Sequence, residues 1–119
     1  MALGDQSTAV AEVEPNDTPG TAQPVTRPVS ITGSITQNAF DSWRIDLSGT
    51  TVVNAMLTAP ANQDIDLYIY NSAGDTILAG SATDSPNEAT AISLGAGDYR
   101  VVVFGYNVPG TATYTVVIQ

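Results

Sequence analysis

From residue 29 to the end of the chain, apolar and polar side chains alternate in short runs. A period of two is typical of a β-strand with one buried face, because successive side chains point to opposite sides of the sheet. About eight such runs can be distinguished, and they start at Val29, Trp43, Val53, Ile65, Thr76, Thr90, Tyr99 and Tyr114. The pattern therefore predicts about eight short strands, without a convincing amphipathic helix or an internal repeat.

The breaks between these runs carry residues that favour turns. Gly74, in the segment Asn71–Asp75, suits the left-handed position of a hairpin loop, and Pro109-Gly110 suits the centre of a type II turn. Tyr99 follows a glycine-containing corner and is predicted to form a tyrosine corner, which is a structural device. Many short strands with such turns predict an all-β fold, an antiparallel β-sandwich.

The first 28 residues show no clear period. We interpret residues 1–11 as a linker or an expression-derived tail and residues 12–119 as one folded domain. Met1 to Ala11 have neither a basic n-region nor an apolar h-region, so we do not expect a signal peptide there. An apolar fraction of 43% in 119 residues is enough for a real core.

A run of oxygen-bearing side chains follows this tail. Glu12, Glu14, Asn16 and Asp17 fall within six residues, and Pro15 favours extended backbone in their middle. In an extended segment, alternation puts the first three of these side chains on one side. Ca²⁺ takes about six to eight oxygen ligands of these types, so the run is a candidate calcium site. A solvated acidic linker is the alternative.

Composition excludes several classes of function. The chain has no histidine, cysteine or lysine, which removes the usual general bases, thiol nucleophiles and zinc ligands, so we expect no enzyme. A net charge of −9 disfavours nucleic acid and anionic membranes, and no apolar run is long enough to span a membrane. Asp64 and Asp66 form another carboxylate pair, for which we expect a role in a turn or on the sheet surface.

The chain resembles the bacterial pre-peptidase C-terminal domain family, which includes the collagen-binding domains of bacterial collagenases. The likeness spans roughly Glu12 to Gln119. It rests on ordered motifs: Glu12-x-Glu14-Pro15-Asn16-Asp17, Ala22, Gly33, Asp41-Ser42-Trp43-Arg44-Ile45, Asp64-Ile65-Asp66-Leu67-Tyr68-Ile69-Tyr70, Gly97-Asp98-Tyr99 and Tyr114-Thr115-Val116. The resemblance implies a jelly-roll-like β-sandwich that serves as an accessory module of secreted enzymes, mostly peptidases, and is often removed during maturation.

The resemblance also implies a set of calcium ligands. In the collagenase branch, calcium lies between the N-terminal acidic segment and the first strands. A backbone carbonyl near Gly33 or Ser34 would complete the shell, and Asn38 stands close to where the family often has another acid, so a second calcium is left open. The implied ligands are Glu12, Glu14, Asn16, Asp17, Gly33, Asn38 and Asp41. Alternatively, Asp17 caps the following turn through a local hydrogen bond, and Asp41 only closes the hairpin before its strand.

Aromatic side chains on the polar sides of strands are a second candidate site. An exposed aromatic strip could bind collagen, sugar or another protein, unless loops or the parent enzyme cover it. The candidates are Tyr68, Tyr70, Phe104 and Tyr106. The collagen-binding branch has outward tyrosines on the strand after the tyrosine corner. Among the matching positions in this chain only Phe104 is aromatic, so the match to that branch is partial.

The expected function is therefore that of a non-catalytic, calcium-binding accessory domain of a secreted bacterial hydrolase, with a peptidase as the favoured parent. It would serve attachment to substrate or surface, or secretion and maturation. A carbohydrate-binding module and a structural spacer or adhesin-type domain are the alternatives. The expected partners are the parent enzyme in cis and an extracellular protein or polysaccharide, and we expect the domain itself to be a monomer.

Overall fold

Ten β-strands in two facing sheets make up the part of the chain that the structure describes. The structure is a computed structural model, and it describes residues 8–83 and 85–119. In chain order the strands are β1 (Thr8–Ala11), β2 (Gln23–Pro24), β3 (Val29–Thr36), β4 (Phe40–Leu47), β5 (Thr51–Thr58), β6 (Asp64–Tyr70), β7 (Ile77–Ser81), β8 (Glu88–Leu94), β9 (Gly97–Asn107) and β10 (Thr111–Ile118). Apart from one 3₁₀ turn at Pro19–Thr21, these residues contain no helical segment, and hence no helix suited to crossing a membrane.

The strand order confirms the predicted β-sandwich. The first sheet has the order β1-β3-β10-β5-β8, and the second has the order β2-β4-β9-β6-β7. The eight strands from β3 to β10 pair in antiparallel fashion, as the alternation predicted. The edge strands differ, because β1 runs parallel to β3 and β2 runs parallel to β4. Both sheets are therefore antiparallel, as predicted, except at one edge each, where the short parallel strand makes the sheet mixed.

The two edge strands lie where the sequence predicted only a linker. Thr8–Ala11 pair along β3 as far as Thr32, so the linker interpretation is wrong for these four residues, while residues 1–7 lie outside the described part. Strand β1 has only one partly buried side chain, and β2 is two residues long and contains Pro24. Such strands are held by backbone hydrogen bonds to a neighbour and produce no alternation in the sequence.

The core lies between the two sheets and consists of the inward-facing residue of each alternating pair. Trp43 is fully buried, and the apolar residues that follow it along β4, Ile45 and Leu47, face the same interior as the buried residues of β6 and β9. The other fully buried large side chains include Val29, Ile31, Ile45, Val53, Leu57, Ile65, Leu67, Ile69, Val101, Val103, Val116 and Ile118. The period-two pattern thus identified the buried face of each long strand.

Three local predictions about turns are confirmed. Gly74 has φ 73° in the loop between β6 and β7, and Gly110 has φ 83° after Pro109, both in the left-handed region that favours glycine. The Tyr99 hydroxyl donates a hydrogen bond to the Gly95 carbonyl oxygen at 2.9 Å, which is the predicted tyrosine corner. The Gly74 loop closes a hairpin within the second sheet, whereas the other two turns lie where the chain passes between the sheets, from β8 to β9 and from β9 to β10.

Candidate metal centre and aromatic surface

The acidic segment, residues 12–17, leaves the first sheet after β1 and reaches across toward the second sheet, where β2 begins. At its start, the Glu12 amide donates to the Thr32 carbonyl oxygen on β3 at 2.9 Å. Farther along, the Asn16 carbonyl oxygen accepts from the Ser42 amide on β4 at 2.8 Å. The segment is therefore attached to both sheets, and it closes one side of the sandwich.

Three carboxylates meet beneath this segment. Glu12, Glu14 and Asp41 each contribute an oxygen, and these oxygens all lie within 4.8 Å of one another. Asp41 shares the inward face of β4 with Trp43 and is only 2% exposed, so its charge is placed at the end of the core. Carboxylate oxygens at this spacing can bind a single hard cation together, and we call these three residues the carboxylate cluster.

Asn16 supplies a second, independent indication of a cation-binding site. Its side chain is fully buried, and its Nδ2 donates to Glu12 Oε2 at 3.1 Å. Its backbone amide donates to Glu14 Oε1 at 3.2 Å, which keeps the residue beside the carboxylate cluster. Its Oδ1 is buried without a hydrogen-bond partner. Because an unsatisfied buried polar atom costs about 1–3 kcal/mol, a cation at this point would stabilise the arrangement.

Tyr114 and Gly33 complete the surroundings of the cluster. The Tyr114 hydroxyl donates to Asp41 Oδ2 at 2.5 Å and lies 3.4 Å from Glu12 Oε2. Gly33 pairs with Tyr114 across β3 and β10, and a Cβ there would lie 2.6 Å from the Tyr114 hydroxyl oxygen and 2.8 Å from Glu12 Oε1. Glycine at this position therefore leaves room for both side chains, while its predicted role as a carbonyl ligand stays a prediction.

Electrostatics in the cluster oppose three free negative charges. Burial, together with contact to Glu12, raises the pKa of Asp41 to about 8, although the Tyr114 hydroxyl acts in the opposite direction. Partial burial and the charges of Glu12 and Asp17 raise the pKa of Glu14 as well. Burial and the Asp41 charge raise the pKa of Tyr114, so its hydroxyl stays a donor. A divalent cation would remove this repulsion and restore the ionised form of Asp41.

These shifts predict how the stability of the metal-free protein depends on pH. The pKa of Asp41 in the folded protein lies above its ordinary value of 3.8, so the folded state holds the proton more tightly. Stability in EGTA should therefore fall as the pH rises from about 4 to about 8. The pKa of Asp66 is raised to about 6, so this residue lowers the stability in the same way but at lower pH. The decline in stability between about pH 7 and 8 is therefore assigned to Asp41.

Urea unfolding in EGTA across this pH range measures the effect. We expect the wild-type midpoint to drop toward pH 8, whereas the D41N variant should keep a nearly constant midpoint between about pH 7 and 8. Parallel curves for both proteins in that interval would contradict the assignment to Asp41.

Gly33→Ala is expected to damage the centre through steric overlap. The new methyl group would displace the Tyr114 hydroxyl and the Glu12 carboxylate, so we expect a loss of about 1–3 kcal/mol of stability and weaker metal binding. Gly49→Ala is a matched control, since nothing lies within 4 Å of a Cβ at that position. Chemical denaturation of both variants checks this, and equal stability of the two would argue against the close approach.

Two of the predicted ligands, Asp17 and Asn38, make no hydrogen bond to the carboxylate cluster within the described residues. Asp17 is exposed and makes no hydrogen bond in the described residues, and Thr18 caps the following 3₁₀ turn in its place. Asn38 lies in the turn between β3 and β4 with φ 62°, where its Oδ1 accepts from Gln37 Nε2 at 3.1 Å. Asparagine tolerates this left-handed conformation, so the turn accounts for Asn38, and nothing at this position supports a second calcium.

Asp66 corrects another expectation. The structure buries it on β6, where its Oδ2 accepts from the Tyr68 hydroxyl at 3.3 Å, so the predicted place on the sheet surface is wrong. Glu88 is also buried and accepts from both the amide and the hydroxyl of Thr83. Among residues 8–83 and 85–119, the only acidic group compact enough for a metal is the carboxylate cluster.

The predicted aromatic residues lie on the outer face of the second sheet. Phe104 stacks on Phe40 with ring centroids 4.6 Å apart, and Tyr106 packs edge-on against Phe104 at 6.5 Å. Tyr68 and Tyr70 form a further edge-on pair at 6.1 Å. Tyr106 is 60% exposed, while Tyr68, Tyr70 and Phe104 are partly buried. We call this set, with Phe40, the aromatic surface; its binding role stays a prediction.

Comparisons with known proteins bear on the fold. No family model and no curated protein matches the sequence. The pre-peptidase C-terminal domain of collagenase from Bacillus anthracis is similar in structure, with a TM-score of 0.71 at 13% identity over 82% of this chain and 94% of that chain. A periplasmic inhibitor of g-type lysozyme from Salmonella Typhimurium reaches a TM-score of 0.45 at 12% identity, over 82% of this chain and 100% of that chain. The predicted resemblance to pre-peptidase C-terminal domains is thus confirmed for the fold.

Proposed function

We propose that the chain is a calcium-binding, non-catalytic accessory domain of a secreted bacterial peptidase. The observation that carries this proposal is the buried, unpartnered Asn16 Oδ1 beside three carboxylates that lie within 4.8 Å of one another. The accessory role is supported by the fold, which this chain shares with a domain of a bacterial collagenase. The parent peptidase would be attached in cis.

The donor set favours calcium over other metal ions. Glu12, Glu14 and Asp41 offer charged oxygens and Asn16 offers an amide oxygen, whereas soft or nitrogen ligands are absent because the chain has no cysteine or histidine. Ca²⁺ accepts a flexible shell of about six to eight oxygens, which water and backbone carbonyls would complete. Mg²⁺ is smaller and gives up water reluctantly, so it suits this loosely spaced set less well.

The ion would act as a cross-link between elements that are distant in sequence. Glu12 follows β1 in the first sheet, Asp41 belongs to β4 in the second, and Glu14 and Asn16 lie on the segment between the sheets. Without a cation, the charges repel one another and the segment has few buried apolar residues to hold it. With calcium, the same charges hold the segment against both sheets.

A catalytic role has little chemical support. Serines and threonines are plentiful, but no histidine, lysine or cysteine is present to activate them or to act as a nucleophile. The carboxylate cluster is partly buried and bonded to Tyr114, Asn16 and Ser34, which suits a structural ion better than acid–base chemistry. We therefore propose that the isolated chain hydrolyses neither peptides nor glycosides.

Limited proteolysis tests the calcium-dependent part of this function. Elastase cleaves after small residues such as Val13, which is exposed, and Ala22. Cleavage before residue 29 should be fast in EGTA and slow in calcium, because the ion holds the segment in place. Glu14→Gln should remain sensitive in calcium, since it removes a charge and any bidentate contact.

The exposed acid Asp46 on β4 provides the control for this experiment. Asp46→Asn should be protected by calcium as well as wild type, because its carboxylate pairs with Arg44 and not with the cluster. Equal cleavage rates in EGTA and calcium, or protection of the Glu14→Gln protein, would count against the proposed site.

The aromatic surface is the candidate for attachment to an extracellular target. Phe40 stacks on Phe104, whereas the other two ring pairs of this surface meet edge-on. Tyr68, Tyr70 and Phe104 are partly buried, so the surface offers few fully open ring faces for a sugar, which supports attachment to a protein over the carbohydrate-binding alternative.

A further inference from the structure

A pocket of about 250 Å³ lies where the acidic segment meets the aromatic surface. Its floor is formed by Phe40, Ser42, Val102 and Tyr70, on the outer faces of β4, β9 and β6. Asp17 and Thr18 form one wall, and Gly74 of the β6–β7 loop forms the other. The pocket thus lies between the end of the acidic segment and the aromatic surface.

The lining combines a mainly apolar floor, with two aromatic rings, and a single carboxylate at the rim. The Asp17 carboxylate is exposed and takes part in no hydrogen bond or ion pair within the described residues. Asp75 follows Gly74 in the loop and adds a second negative charge on that side, fixed by Asn71 Nδ2 at 2.7 Å. A pocket of this kind offers a cation an ion pair at the rim and aromatic rings below it.

The positive charges nearby do not cancel this preference. Arg44 and Arg100 lie on the same face of the second sheet, but each has its own partner, with Arg44 Nη2 2.9 Å from Asp46 Oδ1 and Arg100 Nη1 2.8 Å from Asp98 Oδ2. The chain as a whole carries a net charge of −9. A cationic partner is therefore attracted both at long range and at the rim of the pocket.

We propose that this pocket binds one basic side chain, an arginine or a lysine, of an extended peptide segment in a partner protein. The charged head group pairs with Asp17, and the aliphatic stem lies along Val102 between the rings of Phe40 and Tyr70. This inference rests on the proposed function, because the metal site holds the segment that carries Asp17 and Thr18 in place. It identifies the chemistry of the attachment target as a basic peptide.

The test is a nuclear magnetic resonance titration of the full chain in millimolar calcium. The probes are two blocked pentapeptides, with arginine or glutamine between glycines. We expect the arginine peptide alone to shift the amide signals of Gly74 and Val102. Raising the salt from about 20 to about 500 mM should weaken this binding at least threefold, because the pair at the rim is exposed.

Three variants locate the binding. Asp17→Asn should weaken it about two- to fivefold, as expected for an exposed ion pair. Tyr70→Ala should weaken it at least about threefold through loss of the cation–π contact. Val52→Ala, at an exposed apolar residue of β5 in the other sheet, should bind the peptide as wild type does. Equal shifts by both peptides, unchanged binding by Asp17→Asn and Tyr70→Ala, or pocket shifts caused only by glucose or galactose would overturn the proposal.

The same spectra separate this proposal from the metal site. Calcium added without peptide should shift the amide signals of Asn16 and Ser42, next to the carboxylate cluster. If those signals move and the peptide leaves Gly74 and Val102 unchanged, the pocket proposal fails while the calcium proposal stands. If calcium shifts no amide signals and the arginine peptide binds equally in EGTA, the proposed calcium site is wrong. The pocket then binds the peptide independently of calcium.

Discussion

Calcium is expected to raise the melting temperature of the chain by about 10 °C when its concentration is a hundredfold above the dissociation constant. A ligand that binds only the folded state adds about 2.7 kcal/mol at that excess. In this protein the gain comes from the removal of repulsion among Glu12, Glu14 and Asp41, and from a partner for Asn16 Oδ1. The unfolded chain has no comparable site, because Asp41 lies far from the acidic segment in sequence.

Thermal unfolding followed by circular dichroism in millimolar calcium and in EGTA measures this effect. Magnesium at the same concentration is the matched control, and it should raise the melting temperature much less, because it prefers a smaller octahedral shell and keeps its water. Superimposable melting curves in calcium and EGTA would show that no stabilising site exists.

Asp41→Asn is expected to remove the response to calcium and to leave the metal-free protein at least as stable as wild type. The substitution takes away the most deeply buried charge of the cluster, so the dissociation constant should rise at least about 100-fold. The asparagine still accepts the Tyr114 hydrogen bond, and no buried carboxylate remains to be neutralised. In EGTA at about pH 8, the variant should therefore melt at or above the wild-type temperature.

Asp46→Asn is the control for this comparison. It makes the same change on the same strand, but its side chain is 62% exposed and pairs with Arg44 outside the cluster. Calcium should stabilise this variant as it does the wild type. A calcium-dependent rise in the melting temperature of the Asp41→Asn protein would show that the ion binds elsewhere.

Much of the fold could be predicted from the sequence because each long strand buries one face. The alternation around Trp43 and from Ile65 to Ile69 corresponds to strands with fully buried inner residues. Strands β1 and β2 could not be predicted in this way, because they pair in parallel at sheet edges and bury little. Their presence depends on neighbours that are adjacent only in the folded chain.

The site could be predicted in part for a similar reason. Glu12, Glu14 and Asn16 are close in sequence, and the resemblance to a family added Asp41. The hydroxyl of Tyr114 and the space above Gly33 were missed as features of the site, because they follow from the register of β3 against β10. Asp66 was expected at the surface, since alternation shows which face of the sheet a residue lies on but not what covers that face.

A crystal structure of the protein grown in calcium tests the central claim most directly. It should contain one ion between the two sheets, with oxygens of Glu12, Glu14 and Asp41 at about 2.3–2.6 Å. The side-chain amide of Asn16 should be rotated so that its Oδ1 faces the ion and its Nδ2 no longer donates to Glu12. A structure in which Asn16 Nδ2 still donates to Glu12 at saturating calcium, or in which calcium is bound only at another place, would contradict this account.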